Sequence, residues 1–217
     1  MNKVKTSEVI QKVAVDLFRR FGFEKTSMEE IARKAHKAKR SLYNHFNSKE
    51  EIFSELVRQE MDVIRERLDA VVSDGKQFVL TRLRQYLLLR MELLAEAGTL
   101  LVAMRGGMLD TSDYRFGEVK QSVDGFAQWE HEVFQRVWYA KPTQDTPEVV
   151  EQQATAFADM LQVVLNGLSH SFFVENKYEQ YRSSYEMLVN LIVNSIFESF
   201  QHQALHTEDP NALLQQD

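Results

Sequence analysis

The chain has 217 residues, of which 44% are hydrophobic and 27% charged, a composition typical of a globular protein. It holds no cysteine, which excludes disulfides and thiolate chemistry, and no apolar run approaches the roughly 18 residues that span a bilayer, so we expect a cytoplasmic protein. Residues 1–50 hold 12 of the 26 Lys and Arg but only 6 of the 32 Asp and Glu, so a basic head precedes an acidic remainder. Such a head indicates a polyanionic partner, unless the charges simply cluster on a solvated face.

Helical periodicity runs along most of the chain and no segment alternates as a strand does, so the sequence predicts an all-α fold. The first predicted helix has one apolar face and ends at Gly22. Ser27 and Glu30 have the spacing of a capping box and predict the start of a second helix. A third helix is predicted from about Ala38 to Phe46. The apolar face of the first helix consists of Ile10, Val13, Ala14, Leu17, Phe18 and Phe21.

A second capping box, Ser48 with Glu51, predicts a long helix that breaks at 73–75. The stretch from Gly98 to Gly117 contains several breakers and is predicted to be irregular. Further helices are predicted at 77–97, 118–140, 148–175 and 179–203. The expected domains are a helix-turn-helix head at 1–50, a helical ligand-binding and dimerisation domain at 51–206, and a disordered polar tail at 207–217.

The predicted third helix has a polar outer face. Leu42 lies four residues from both Ala38 and Phe46, so the three are expected to share an inward face. Arg40 and Asn44 then point outward, where Arg can contact guanine and Asn adenine in a major groove. The alternative is an ordinary short surface helix. Ser41 and Tyr43 flank the outer face, and phosphate contacts are expected from Lys37, Lys39 and Lys49.

Residues 9–53 resemble the DNA-binding domain of the tetracycline-repressor (TetR) family. Two positions depart from the family pattern: His36 stands where the turn usually has Gly, and Lys37 where it usually has Val. His can adopt a left-handed conformation at some cost, so we expect the turn to survive. The matching stretches are Ala14-Val15-Asp16-Leu17-Phe18, Phe21-Gly22-Phe23, Thr26-Ser27-Met28, Ile31-Ala32, Ser41-Leu42-Tyr43-Asn44-His45-Phe46 and Ser48-Lys49-Glu50.

The resemblance implies a homodimer that binds double-stranded palindromic operator DNA, usually as a repressor, and that a small-molecule effector releases. An activator has the same sequence signature, and a helical ligand-binding or scaffold protein without DNA binding is the remaining alternative. By position, the resemblance assigns phosphate contacts to Thr26, Tyr43, His45 and Lys49, and base contacts to Arg40, Ser41 and Asn44.

The predicted helix at 148–175 is apolar on two sides, about 120° apart around its axis. Because both sides must be buried, we predict that one packs on its own domain and the other on a second subunit. The alternative is that both belong to one core. The predicted dimer interface consists of Ala156, Val163, Gly167, Ile192 and Ile196.

Two charges, Arg90 and Glu130, each lie at the centre of an apolar helix face, where an unpaired charge is disfavoured. We expect them to meet, either as a structural ion pair or inside a ligand pocket in which Arg90 anchors the ligand. The predicted ligand-binding residues are Tyr86, Arg90, Met104, Met108, Glu130, Phe134, Phe157 and Met160. Nucleotide-binding glycines, a nucleophile elbow and paired metal motifs are missing from the sequence, so neither enzyme activity nor a cofactor or metal is expected.

Overall fold

The computed structural model describes residues 3–109, 112–141 and 143–207, and within them it confirms the all-α fold, without a strand. None of the described helices combines the length and apolar character of a membrane span. Residues 208–217 of the predicted tail lie outside the described residues. The helices are α1 (Lys3–Phe21), α2 (Met28–Lys34), α3 (Lys39–Tyr43), α4 (Lys49–Val72), α5 (Val79–Glu96), α6 (Gly98–Arg105), α7 (Gly117–Tyr139), α8 (Pro147–Ser169) and α9 (Tyr178–Thr207).

The chain forms two compact units, each assembled from three stretches of sequence. The first unit therefore extends beyond the predicted head and includes α6. A 3₁₀ turn at Tyr114–Phe116 also belongs to it, and a π-helical turn at His170–Val174 extends α8. The described parts of 1–66, 92–126 and 173–176 make the first unit, and those of 67–91, 127–172 and 177–217 make the second.

Local signals in the first three helices behave as the sequence predicts. Gly22 has a φ of 81° and donates its N–H to the Phe18 carbonyl at 2.9 Å, which ends α1. The Ser27 hydroxyl accepts from the Glu30 N–H, and the Glu30 carboxylate accepts from the Ser27 N–H, so the capping box is confirmed. His36 has a φ of 51°, and the left-handed turn expected there is therefore formed by a residue other than glycine.

The third helix is shorter than predicted. Ala38 is its N-cap residue, with extended backbone and an exposed side chain, so the prediction that Ala38 shares the buried face is wrong. As the N-cap residue, Ala38 lies outside the helical turns, so the spacing of four residues does not align it with Leu42. Leu42 and Phe46 are buried as predicted, and the Phe46 N–H still reaches the Leu42 carbonyl at 3.0 Å.

The second capping box is present only in part. The Ser48 hydroxyl accepts from the Glu51 N–H at 3.2 Å, as expected. The Glu51 carboxylate, however, accepts from the N–H of Asn47 at 2.6 Å and from its side-chain amide at 2.9 Å. The reciprocal bond is therefore displaced by one residue, and α4 still begins directly after Ser48.

The prediction of an irregular stretch from Gly98 to Gly117 is wrong over its first part, because α6 occupies Gly98–Arg105. Its N-terminus is capped by Glu60 of α4, whose carboxylate accepts from the N–H groups of Thr99 at 2.8 Å and Leu100 at 2.7 Å. The side chain of Arg19 lies against Gly98, where a Cβ would come within 2.7 Å of its Cδ. This cap comes from 39 residues earlier in the chain, so no local sequence signal announces it.

We expect the Glu60 cap to produce a measurable pH dependence. Burial raises the pKa of Glu60, and hydrogen bonds from Thr99 and Leu100 offset this only in part. The folded state therefore holds the proton more tightly, so this contribution to stability is present below the ordinary pKa of 4.5 and is lost as the pH rises through the raised value. Measured by urea denaturation, the stability of the wild type relative to Glu60→Gln should fall as the pH rises above the ordinary pKa of 4.5.

Glu55→Gln is the matched control for this measurement. The pKa of Glu55, on the same helix, is lowered by its hydrogen bond from Arg58, so its contribution should change with pH in the opposite direction. If the stability of the wild type relative to Glu60→Gln instead rises with pH, the raised pKa of Glu60 is contradicted.

The core of the first unit contains a cluster of four phenylalanines. Phe53 of α4 lies edge-on to Phe18 at 5.2 Å and to Phe23 at 4.9 Å between ring centroids. Phe116 of the 3₁₀ turn joins the cluster 5.2 Å from Phe23. Such pairs contribute about 0.5–1.5 kcal/mol each beyond area burial, so the cluster holds α1, α4 and the 3₁₀ turn together.

Candidate DNA-binding and ligand-binding sites

The outer face of α3 presents polar side chains to solvent. Arg40 and Asn44 are exposed, Tyr43 is 43% exposed, and Ser41 is half-buried. Leu42, on the opposite side, is completely buried, and no other residue of this short helix is buried. Leu42 therefore holds the helix against the core while its neighbours remain available to a groove.

Two of the predicted phosphate-binding lysines already interact with groups of the protein itself. Lys39 forms an ion pair with Glu29 of α2, and its ammonium lies 5.8 Å from the centre of the Tyr43 ring. Lys49 donates to the Phe23 carbonyl at 2.9 Å and lies 4.3 Å from the centre of the Phe23 ring. Lys49 thus connects the start of α4 to the loop before α2.

The remaining phosphate-binding candidates differ in exposure. Thr26 is buried, and its hydroxyl donates to the Gly22 carbonyl at 2.8 Å, so it stabilises the loop between α1 and α2. Lys37 and His45 are half-buried and can still reach a ligand outside the head.

The second unit brings Arg90 and Glu130 together in a buried, two-bond ion pair. Arg90 Nε lies 2.5 Å from Glu130 Oε1, and Nη2 lies 3.3 Å from Oε2. Only 4% of Arg90 and 1% of Glu130 are exposed. The Tyr86 hydroxyl donates to Glu130 Oε1 at 2.7 Å, and Arg90 Nη1 donates to the Ser169 hydroxyl at 3.0 Å. Every nitrogen of the Arg90 guanidinium therefore has a partner. Ser169 was not among the residues that the sequence pattern predicted for this site.

The network changes the acid–base properties of its members. Burial, followed by the nearby Glu130 charge, raises the pKa of Tyr86 well above its ordinary value. Burial, the largest single cause, would lower the pKa of Arg90, but the Glu130 carboxylate together with Tyr86 and Tyr185 leaves the pKa of Arg90 raised. Tyr86 and Arg90 therefore both keep their protons at neutral pH.

The other predicted ligand-binding residues do not join this network as one cluster. Phe134 is buried 5.6 Å from Tyr86, edge-on. Phe157 is half-buried with its ring 5.1 Å from that of Trp138, and Met160 is 63% exposed. Met104 and Met108 belong to the first unit.

Each unit contains a cavity. In the first unit a cavity of about 590 Å³ is lined in part by Phe23, Arg105 and Met108. The cavity of the second unit is about 270 Å³, and Arg82 is one of its lining residues. Arg82 lies near the start of α5, and nothing in the sequence pattern indicated that it would line a cavity. This second cavity is lined by Val72, Ser73, Val79, Arg82, Leu83, Tyr86, Val133, Arg136, Val137 and Ala140.

The helices α8 and α9 expose large apolar side chains within a single subunit. Val163 is 66% exposed, and both Ala156 and Gly167 are exposed. Ile192 is half-buried, whereas Ile196, also predicted at the dimer interface, is only 9% exposed and belongs to the core of its own unit. The further exposed apolar residues of these two helices are Val149, Met160, Val164, Tyr181, Met187, Leu191 and Phe197.

A capped helix, a left-handed turn and a second helix with an exposed Arg and Asn make a helix-turn-helix, and this head defines the chain as a DNA-binding transcription regulator. The sequence pattern of "Bacterial regulatory proteins, tetR family" matches residues 10–56. Residues 10–56 therefore form a DNA-binding domain of the tetR family.

Solved structures share the fold. A transcriptional regulator from Aquifex aeolicus VF5 is 17% identical, with a TM-score of 0.66 over 86% of this chain and 99% of its own. The complex of SmeT with triclosan is 19% identical, with a TM-score of 0.64 over 88% and 91% of the two chains. FadR from Bacillus subtilis, in complex with stearoyl-CoA, is 16% identical, with a TM-score of 0.63 over 86% and 95%.

Proposed function

We propose that the protein is a homodimeric, cytoplasmic repressor that binds a palindromic operator through α3 of each subunit and leaves it when a small molecule binds the second unit. The observation that carries this proposal is the exposed polar face of α3. Arg40 and Asn44 lie there one helical turn apart, where they suit bidentate contacts to guanine and adenine. Tyr43, His45 and Lys37 suit phosphates, and Lys39 and Lys49 can do so by exchanging their partners within the protein.

Substitution of the base-reading residues tests this assignment. Arg40→Ala or Asn44→Ala should cost about 1–3 kcal/mol on a duplex selected by the wild type from a random pool, and should relax specificity at one base pair. Lys37→Ala, the control, should weaken all duplexes alike and lower the salt slope by about one. Fluorescence anisotropy at several salt concentrations gives both quantities. An Arg40→Ala loss as large on random DNA as on the selected duplex would count against base reading.

The proposed dimer rests on the exposed apolar surface of α8 and α9. Val163 and Leu191, on successive helices, are largely exposed within one subunit, and exposed apolar surface of this kind is typical of a protein interface. Closed two-fold dimers are the commonest assembly that would bury it. A methyl group at Gly167 would meet no described atom within 4 Å, so a larger side chain there fits within one subunit. An effect of such a side chain on association would therefore arise at the second subunit.

We expect Gly167→Phe to weaken dimerisation while the subunit stays folded, because the new ring separates two closely packed helices. Gly125→Phe on α7 is the matched control, since Gly125 is also an exposed helical glycine without neighbours within 4 Å. Sedimentation velocity at micromolar concentration measures the association. A monomeric wild type, or equal behaviour of the two variants, would rule out this interface.

Ligand response is the remaining part of the proposal. Two proteins of the same fold are described with small molecules bound, SmeT with triclosan and FadR with stearoyl-CoA. The second unit of this chain contains both a cavity and a buried polar network, which suit the same use. A reporter gene behind the selected operator separates repression from activation, because deleting a repressor raises expression and deleting an activator lowers it.

A further inference from the structure

We infer that the 270 Å³ cavity of the second unit binds a small amphipathic carboxylate, with Arg82 as the residue that meets the carboxylate. The inference rests on the proposed ligand response and names the chemical class of its ligand. It also transfers the anchoring role that the sequence suggested for Arg90 to a different arginine.

The guanidinium of Arg82 is held in place but not satisfied. Its Nη1 donates to the Val72 carbonyl at 2.5 Å, which fixes the plane of the group. Its Nε is buried and has no hydrogen-bond partner among the described residues. A buried donor without an acceptor is unfavourable, and a small shift of the Arg82 side chain toward a carboxylate in the cavity would give Nε an acceptor through a charge-assisted bond.

The cavity combines this donor with apolar walls. Val79, Leu83, Val133 and Val137 supply aliphatic surface, and Arg136 adds a second cation from an exposed position. The described residues that line the cavity include two arginines and no acid. An apolar body with one negative end is the ligand that this combination favours, and the volume suits a small molecule.

Neither nearby charge competes for this role. Arg90 is unavailable, because Glu130 and Ser169 occupy all three of its nitrogens. The Asp74 carboxylate is engaged elsewhere, because it accepts from the Lys76 N–H at 3.0 Å and from the Gln77 side chain at 2.9 Å. Arg82 therefore remains free to bind an external carboxylate.

The cavity also touches the buried network. Tyr86 lines the cavity and donates its hydroxyl to Glu130. A ligand packed against Tyr86 therefore contacts the ring whose hydroxyl helps to hold the ion pair. This contact offers a physical route by which occupancy of the cavity alters the packing of α5 and α7 in the second unit.

Titration of the full-length protein with octanoate, followed by calorimetry without DNA, tests the site. We expect octanoate to bind the wild type, and Arg82→Met to weaken it at least about tenfold while binding of octan-1-ol changes by less than about twofold. Arg84→Met is the matched control, because Arg84 lies on the same helix but is bonded to Asn190 and Glu186. Val133→Phe should weaken both probes by filling the cavity, and it provides a second variant if Arg82→Met fails to fold.

Absence of octanoate binding to the wild type, or equal loss in Arg82→Met and Arg84→Met, would overturn the inference. Octanoate binding that Arg82→Met and Val133→Phe leave unchanged would do the same. The experiment distinguishes failure of this inference from failure of the proposed function. If the protein binds octanoate through Arg82 but binds no DNA duplex, the carboxylate site is supported and the role in transcription is contradicted. If it binds its operator but not octanoate, only the carboxylate site is contradicted.

Discussion

Replacing Glu130 by leucine should lower the free energy of unfolding by about 3–5 kcal/mol, because it leaves the Arg90 charge buried without a counter-ion. Arg90 is 4% exposed and cannot reach water without displacing the core around it. The Tyr86 hydroxyl would also lose its acceptor. Urea denaturation followed by circular dichroism measures the loss.

The double variant Arg90→Met with Glu130→Leu should regain most of that loss, because it removes the buried charge altogether. The exposed pair of Arg84 with Glu186 is the comparison, and Arg84→Met should cost less than about 1 kcal/mol. A double variant no more stable than Glu130→Leu alone would show that the charge is not the cause.

Arg90→Met alone distinguishes a structural pair from a ligand anchor. Since every guanidinium nitrogen is bonded within the protein, we expect a lower melting temperature. A variant that stays folded and binds DNA, but no longer releases it on addition of the effector, would instead assign Arg90 to the ligand.

The second large effect is expected in the recognition helix. Leu42→Ala should destabilise the protein by about 2–5 kcal/mol, because it opens a cavity behind a side chain that is completely buried. α3 has five residues and no side-chain cap, so Leu42 supplies most of what fixes its position. Binding to the selected operator should fall more than binding to random DNA, since base contacts need that position.

Leu42→Met is the control for volume, and it should cost less than about 1.5 kcal/mol while retaining operator specificity. Thermal melting and fluorescence anisotropy on the same samples give both quantities. If Leu42→Ala keeps the wild-type preference for the operator, α3 is positioned by something other than Leu42.

The head could be predicted from sequence because its determinants are local. The Ser27 capping box, the end of α1 at Gly22 and the left-handed turn at His36 each depend on residues within one or two helical turns. The pairing of Arg90 with Glu130 was also predictable, since two charges on apolar faces need each other.

What the sequence missed depends on residues distant in the chain. α6 was overlooked because its cap is Glu60 of α4 and its first residue, Gly98, reads as a breaker. Arg82 resembled a solvated cation at a helix start, and only the fold buries its Nε. Ile196 was predicted at the dimer interface, yet within one subunit it is only 9% exposed.

The assembly of the first unit from separate stretches has a consequence for protein engineering. α6 packs against α1, and Phe116 packs on Phe23, so residues 92–126 complete the surface on which the head rests. A fragment cut at residue 66 would expose those contacts to water, and a chimera joined at residue 50 would replace them with a foreign sequence. Transferring DNA specificity to another sensor is better done by exchanging only the exposed side chains of α3, which leaves every one of these contacts in place.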